Sequence, residues 1–434
     1  MSDFDRAVGS LQNCRLIAPY QHDGVKWMLR REQCEPQGGI LADEVGTGKT
    51  VQTIATMLGN PLPRTLMVMP LSVMPQWVMQ FKRFAPSLEV FCFHGKERKD
   101  EVGFRSAQVV ITTFGSLVPS SVPNAPMFRE TWDRVVVDEA HHLKNKRSKR
   151  RTALASIFVQ GPKWLLSATP IHNKITDYFS LQTYLDPEAC RTVHQELTLR
   201  RTKQQIAQWV PRLALPKLVE EIVYVPMRPE EEANYLEVFE KCQKLARKEV
   251  SMARNNQLVL LSLLLRCVQA CIHPKLAKPD KLSGGGSSKM DAVAACISAN
   301  GNKTLVFCKF VKEIRWMEEI LREKGVETYH LQGSLTPEER VAMINGFQTS
   351  DCRNATFLIQ IDCGGCGLNL EQATDVYVMS PHWNPCVEEQ CVGRAHRQGQ
   401  TSRVRVLRWS PRFRGWKSTR STTRSSRSRC KSWR

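Results

Sequence analysis

The sequence predicts an α/β protein containing two doubly wound parallel sheets. Three observations carry this expectation. Its 434 residues allow two to three domains at ~150 residues each. Short apolar runs alternate with helical patterns, and this alternation occurs twice along the chain. The runs lack the polar alternation of a half-exposed strand, so they suit strands covered by helices on both faces.

In the first half the runs are Thr65–Met69 (TLMVM), Val109–Thr113 (VVITT), Arg134–Glu139 (RVVVDE) and Trp164–Thr169 (WLLSAT). In the second half they are Thr304–Cys308 (TLVFC), Thr328–Leu331 (TYHL), Phe357–Ile361 (FLIQI) and Asp375–Met379 (DVYVM). Helices are expected between them. Val311, Ile314, Met317, Ile320 and Leu321 recur at helical spacing. Thr336-Pro337-Glu338-Glu339 reads as a capping box with proline at the first helical position, opening a helix that carries Val341, Ile344 and Phe347. From about Cys190 to Met290 the pattern is mostly helical and charged. It closes on Ser283-Gly284-Gly285-Gly286-Ser287-Ser288, which reads as a flexible linker.

Composition excludes several classes. Hydrophobic residues at 42% and charged residues at 24% rule out disorder throughout. The longest apolar stretch, Leu258–Leu265, contains Ser262 and falls far short of the roughly 18 residues a membrane helix needs. The start, MSDFDR, is acidic and has no apolar signal core, so secretion is not expected and the 15 cysteines read as reduced thiols. The net charge is +20, and Gln390–Arg434 holds 14 Lys and Arg with no acid, leaving only +6 on the first 389 residues. Such a chain suits a polyanion, nucleic acid before membrane, because no basic amphipathic helix stands out.

Leu41–Thr50 (LADEVGTGKT) is the strongest local signal. Gly46 and Gly48 let the backbone turn its N–H groups toward a phosphate. Lys49 can neutralise β- and γ-phosphate charge, the Thr50 hydroxyl can ligate Mg²⁺, and a following helix would point its positive end at the same groups. Asp43 stands where the general GxxxxGK[ST] pattern has its first glycine. Val135–His142 (VVVDEAHH) puts an acidic pair at the end of a buried strand, where doubly wound sheets bind ligands. Asp138 can hold the Mg²⁺ shell, and Glu139 can orient and deprotonate an attacking water. Gly393–Gln400 (GRAHRQGQ) offers Arg394 and Arg397 as positive charge for a transferred phosphoryl group. Cys363-Gly364-Gly365-Cys366 has metal-like spacing but no converging second pair, so no zinc site is expected.

These motifs, in order over about Leu16 to Leu407, resemble helicase superfamily 2, and within it the SWI/SNF-like DNA-translocating ATPases. Pro19–Met28 (PYQHDGVKWM) is similar to the adenine-contacting segment, with Gln21 reading the base edge, and GTGKT (Gly46, Thr47, Gly48, Lys49, Thr50) is similar to the ATP-binding loop. Val68–Trp77 (VMPLSVMPQW) and Ile111–Leu117 (ITTFGSL) resemble DNA-contact motifs. Leu165–Lys174 (LLSATPIHNK) resembles the motif that couples hydrolysis to DNA, with Ser167 and Thr169 as its hydroxyls, although SAT replaces the usual TGT. Leu199–Lys203 (LRRTK), Leu215–Lys217 and Leu264–Pro274 resemble interdomain segments, and Gly364–Pro385 followed by EEQCVGRAHRQGQ is the most specific stretch.

The resemblance implies two RecA-like lobes that use Mg-ATP to track along duplex DNA with little sequence preference. Ser72, Thr112, Thr113, Lys309, Ser334 and Asn369 are its DNA-contact candidates, and Trp383 reads equally as a packing aromatic. It implies lobe 1 over residues 1–190, a helical interdomain region with the flexible linker over 191–288, and lobe 2 over 289–409; residues 410–434, with no acid and no apolar periodicity, read as a basic, unstructured tail. His273-Pro274 is followed closely by Ser287-Ser288-Lys289, so no RING finger fits, and a bare motor is expected. The tail departs from the family so abruptly that a shifted reading frame is the rival to a DNA-binding or import segment. A strand-separating helicase and a non-catalytic DNA-binding scaffold are the competing functions. The family points to the nucleus, or to a viral replication site for a virus-encoded protein, with nucleosomes or other DNA-bound proteins as targets.

Overall fold

The structure is a computed structural model that describes residues 2–118, 126–171, 174–188, 194–211, 214–251, 257–277, 286–364, 370–397 and 399–413. The chain divides between Leu215 and Pro216 into two compact units.

The first unit has a seven-stranded parallel sheet. Its strands are β1 (Gly38–Leu41), β2 (Thr65–Met69), β3 (Val90–Phe93), β4 (Val109–Thr113), β6 (Arg134–Asp138), β8 (Lys163–Leu166) and β9 (Thr198–Leu199), in the order β3-β4-β2-β6-β8-β1-β9. Two short strands, β5 (Thr131–Trp132) and β7 (Phe158–Val159), pair separately. The second unit has a six-stranded parallel sheet of β10 (Leu218–Pro226), β11 (Thr304–Cys308), β12 (Thr328–Leu331), β13 (Thr356–Gln360), β14 (Asp375–Val378) and β15 (Val404–Arg412), in the order β10-β15-β14-β11-β13-β12. The expected α/β class with two doubly wound sheets is thus what the chain forms.

Apolar runs become central strands because both faces need cover. Along β11, Val306 and Cys308 enter one core while Leu305 and Phe307 enter the other. Successive side chains point to opposite faces, so each layer of helices receives every second residue. The helix Val311–Glu323 buries Ile314, Met317 and Leu321 on one stripe, the expected spacing. The capping box at Thr336 forms, and its helix runs Pro337–Thr349.

Three expectations change. The region 191–288 is not a separate helical body: β9 joins the first sheet, β10 joins the second, and the helices Pro229–Ser251 and Gln257–Ile272 follow β10. Ser287 and Ser288 do not belong to a flexible linker. Ser287 caps the helix Ser288–Asn300 and its hydroxyl donates to the Ile272 carbonyl at 2.6 Å, while Ser288 N–H donates to Glu231. Residues 283–285 lie outside the described residues. The tail does not begin unstructured at Ser410, because β15 continues to Arg412, paired with Tyr224–Pro226 of β10; residues 414–434 lie outside the described residues. Among the described residues no helix is long and apolar enough to cross a membrane.

Candidate active site

Three neighbouring strands of the first sheet, β6, β8 and β1, end side by side. Their carboxyl ends carry the acidic pair, the Ser-Ala-Thr segment and the phosphate loop. Parallel order makes this convergence, since every strand points the same way and every outgoing loop opens on one edge.

The loop after β1 turns at Gly46 and Gly48, both at φ +83°. At that φ any other residue at Gly48 would be strained, and its Cβ would also lie 2.4 Å from Gln21 Nε2, which would have to shift. Gly48 then opens the helix Lys49–Gly59. The adenine-segment candidates pack onto this turn: the Tyr20 hydroxyl and Gln21 Nε2 both donate to the Thr47 carbonyl, at 2.9 and 3.2 Å. Thr47 Oγ1 donates to the Glu44 carbonyl at 2.8 Å. Lys49 Nζ donates to the carbonyls of Asp43 and Glu44 at 2.7 and 3.2 Å. Burial lowers the Lys49 pKa, opposed by the charges of Glu139, Asp43, Asp138 and Glu44. An ammonium folded into its own loop in this way sits where phosphate oxygens can replace the carbonyls.

Asp138 closes β6. Its Oδ2 accepts the Trp77 indole N–H at 2.7 Å and its Oδ1 accepts the Glu139 N–H at 2.8 Å. Burial, and then the Glu139 charge, push the Asp138 carboxyl well above the usual range, against the pull of Trp77, the Glu139 N–H and Lys49. Glu139 adopts φ +51°, a left-handed conformation uncommon outside glycine. Its Oε2 lies 3.1 Å from His141 Nδ1. After β8, Ser167 N–H donates to the Leu41 carbonyl at 3.2 Å, and Ser167 Oγ accepts from the Thr169 N–H at 3.2 Å. Ser167 therefore touches the strand that leads into the phosphate loop, and Thr169 is tied to it through Ser167.

Trp77 was missed as part of this site, since it belongs to a stretch similar to a DNA-contact motif. Its indole is 1% exposed and serves Asp138. No local signal could show this, because the two residues are 61 apart. Arg201 was missed for the same reason, since its partner Asp43 is 158 residues away.

The remaining candidates scatter. Thr112 is fully buried and its hydroxyl donates to the Phe93 carbonyl at 3.1 Å, so it supports the sheet instead of offering a hydroxyl to DNA. Thr113 is buried with Oγ1 3.0 Å from Ser116 Oγ. Ser72 is half-buried and Ser334 exposed. In the second unit, Lys309 Nζ sits 5.3 Å from the Trp383 ring centroid, and Trp383 is 69% exposed, which excludes the packing role. Arg394 is buried and Arg397 half-buried. Burial lowers the Arg397 pKa, the Arg394 charge adds to this and Glu371 opposes it. Asn369 and Cys366 lie outside the described residues.

A phosphate loop and an acidic pair at the same edge of one parallel sheet, on strands separated only by β8, define a nucleoside triphosphatase of the P-loop class. Comparison with known proteins narrows the class. Residues 20–195 match the model of the SNF2-related domain, and residues 288–399 match that of the helicase conserved C-terminal domain. The chain belongs to the SNF2-related ATPases of helicase superfamily 2. It is 28% identical to the "Probable global transactivator" of Orgyia pseudotsugata multicapsid polyhedrosis virus, over 90% of this chain and 86% of that protein. It is 30% identical to the "Chromodomain-helicase-DNA-binding protein 1-like" of Danio rerio, over 90% of this chain but only 41% of that one. Among solved structures, the Sulfolobus solfataricus SWI2/SNF2 ATPase core in complex with dsDNA is 28% identical, covering 91% of this chain and 87% of that chain at a TM-score of 0.43.

Proposed function

We propose that the chain is a DNA-stimulated ATPase that uses Mg-ATP hydrolysis to track along duplex DNA. The placement of Lys49, Asp138 and Glu139 at one carboxyl edge of the first sheet, with only β8 between their strands, is the observation that supports this best, read with the family to which the chain belongs. Lys49 holds the β- and γ-phosphates. Glu139 orients a water and takes its proton as the water oxygen bonds to the γ-phosphorus. The bond from that phosphorus to the bridging oxygen breaks, and ADP leaves with the electron pair.

The donor set fits Mg²⁺. The Thr50 hydroxyl and the Asp138 carboxylate are hard oxygen ligands, and a divalent cation would oppose the two effects that raise the Asp138 pKa, burial and the neighbouring Glu139 charge. When bound there, the ion supplies positive charge against the phosphate oxygens. Arg397, with Arg394, is the proposed source of positive charge on the transferred phosphoryl group. The net charge of +20 supports a nucleic-acid track held mainly through phosphates, and Lys309, Ser72 and Ser334 are the contacts proposed for it.

ATP turnover measured without nucleic acid, and with single-stranded DNA, duplex DNA or RNA, tests this reading. Duplex DNA is expected to stimulate most. Release of strand from a forked duplex would instead favour a strand-separating helicase, and no hydrolysis under any condition would favour a DNA-binding scaffold.

A further inference from the structure

Asp43 replaces the first glycine of the general phosphate-loop pattern, and its side chain meets a residue from far along the chain. Asp43 is fully buried and Arg201 is 5% exposed. Arg201 Nε and backbone N–H each donate to Asp43 Oδ1 at 3.0 Å, and Nη2 donates to Oδ2. The same Nη2 donates to Gln52 Oε1 at 2.8 Å, and Nη1 donates to the Tyr20 carbonyl. The guanidinium carbon lies 5.3 Å from the Tyr20 ring centroid. One planar fork thereby holds three pieces of the nucleotide site: the residue before Gln21, the phosphate loop, and the helix that follows Lys49.

The backbone reinforces the fork. β9 lies beside β1 and the ladder continues past both strands. The Ala42 N–H donates to the Leu199 carbonyl at 2.7 Å, and the Glu44 N–H donates to the Arg201 carbonyl at 3.1 Å. The Lys203 N–H donates to Glu44 Oε2 at 2.9 Å. Room for this clamp depends on Gly24, where a Cβ would lie 1.8 Å from Gln52 Oε1 and 2.8 Å from Arg201 Nη2. Asp43 is also the residue whose carbonyl accepts Lys49 Nζ.

A buried ion pair commonly adds little stability over an apolar pair of equal volume, but its bidentate geometry fixes one arrangement. We propose that Arg201 is a positioning residue of the ATP site, holding the Asp43–Gly48 segment so that Lys49 and the loop N–H groups face the β- and γ-phosphates. Residues 198–203 then form part of the nucleotide site, although they follow the phosphate loop by more than a hundred residues. This rests on the ATP reading above. It implies that nucleotide affinity depends on Arg201 while the chemical step, carried by Glu139, does not.

The test is steady-state ATP turnover at saturating duplex DNA, with titration of a fluorescent ATP analogue and thermal melting beside it. Arg201→Lys keeps the charge and loses the fork. Its KM for ATP should rise ~10-fold, as loss of one charge-assisted contact predicts, with kcat within about threefold of wild type. Asp43→Asn combined with Arg201→Met removes both charges together, leaves no unpaired buried ion, and should raise KM likewise; it carries the readout if Arg201→Lys fails to fold. Glu32→Gln is the control. It breaks the buried pair in which Arg134 Nη2 lies 2.6 Å from Glu32 Oε2, in the same unit, and should lower the melting temperature without moving KM. Unchanged KM in a folded Arg201→Lys or double variant would overturn the proposal and leave the ATP reading standing. Wild-type protein that binds no ATP would overturn that reading first.

Discussion

Trp77→Phe isolates the side-chain donor that Asp138 has among the described residues. The indole N–H reaches Asp138 Oδ2 at 2.7 Å, and it lowers a carboxyl that burial and Glu139 push up. A hydrogen bond to a charged group contributes roughly 1.5–3 kcal/mol. At about 1.36 kcal/mol per pKa unit, its full loss would raise Asp138 by ~1–2 units. Phenylalanine leaves a gap beside the carboxylate, and a water there would recover part of the loss, so an increase of about one unit is expected. The sign follows directly: a higher pKa keeps Asp138 protonated to a higher pH, so the acid limb of kcat/KM for ATP moves upward. The assay is ATP turnover from pH 5.5 to 8.5 at fixed Mg²⁺ and duplex DNA, repeated at rising Mg²⁺, which should compete with the proton and draw the limb back. Trp132→Phe is the control, because Trp132 is equally buried in the same unit and donates to the Met127 carbonyl at 3.0 Å. It should lower the melting temperature without moving the limb. An unshifted limb in Trp77→Phe, or an equal shift in Trp132→Phe, would refute the role assigned to the indole.

Lys49→Ala and Glu139→Gln should each slow turnover on the order of 10²-fold or more, but only Lys49→Ala should weaken ATP binding, as equilibrium titration would show; wild-type hydrolysis in either would refute the site. Arg397→Ala should bind ATP and DNA nearly as wild type does and lose DNA-stimulated hydrolysis; loss of ATP binding would rule out its role on the transferred phosphoryl group. His142 and His273 are both depressed to about 4, chiefly by burial. The unfolded chain therefore binds more protons than the folded one from about pH 6.5 down to 4, and stability should fall as pH drops through that window. Melting curves at stepped pH should show this, with a flatter dependence in His273→Gln. Truncation after Phe413 removes eight Lys and Arg and should flatten the log affinity–log salt slope on duplex DNA by about 2–4 with turnover unchanged. Cutting before Ser410 should also destabilise the second unit, because it removes the end of β15; equal salt slopes after the first truncation would exclude a DNA-binding tail.

The sequence by itself determined the α/β class and eight of the strands, and it marked the candidate site residues from Gly46 to Thr50 and at Asp138 and Glu139. These are local properties. A run such as Thr304–Cys308 is apolar throughout because it is covered on both faces, and a phosphate loop needs its glycines and lysine within a few residues. Strands of other kinds were not legible. β10 lies at a sheet edge, and half-buried Glu220 and exposed Glu221 break its apolar residues in the middle, so it lacks the unbroken pattern of a strand covered on both faces. β9 is two residues long and exists only because β1 lies beside it. Ser410–Arg412 looked unstructured from composition, and pairing with β10 makes it a strand.

Only the tertiary structure decided which groups serve the acidic pair and the phosphate loop. Trp77 and Asp138 are 61 residues apart, and Arg201 and Asp43 are 158 apart. No periodicity links such pairs. Burial links them, since a carboxylate taken out of water needs donors, and the parallel sheet brings those donors to one edge from wherever the chain carries them.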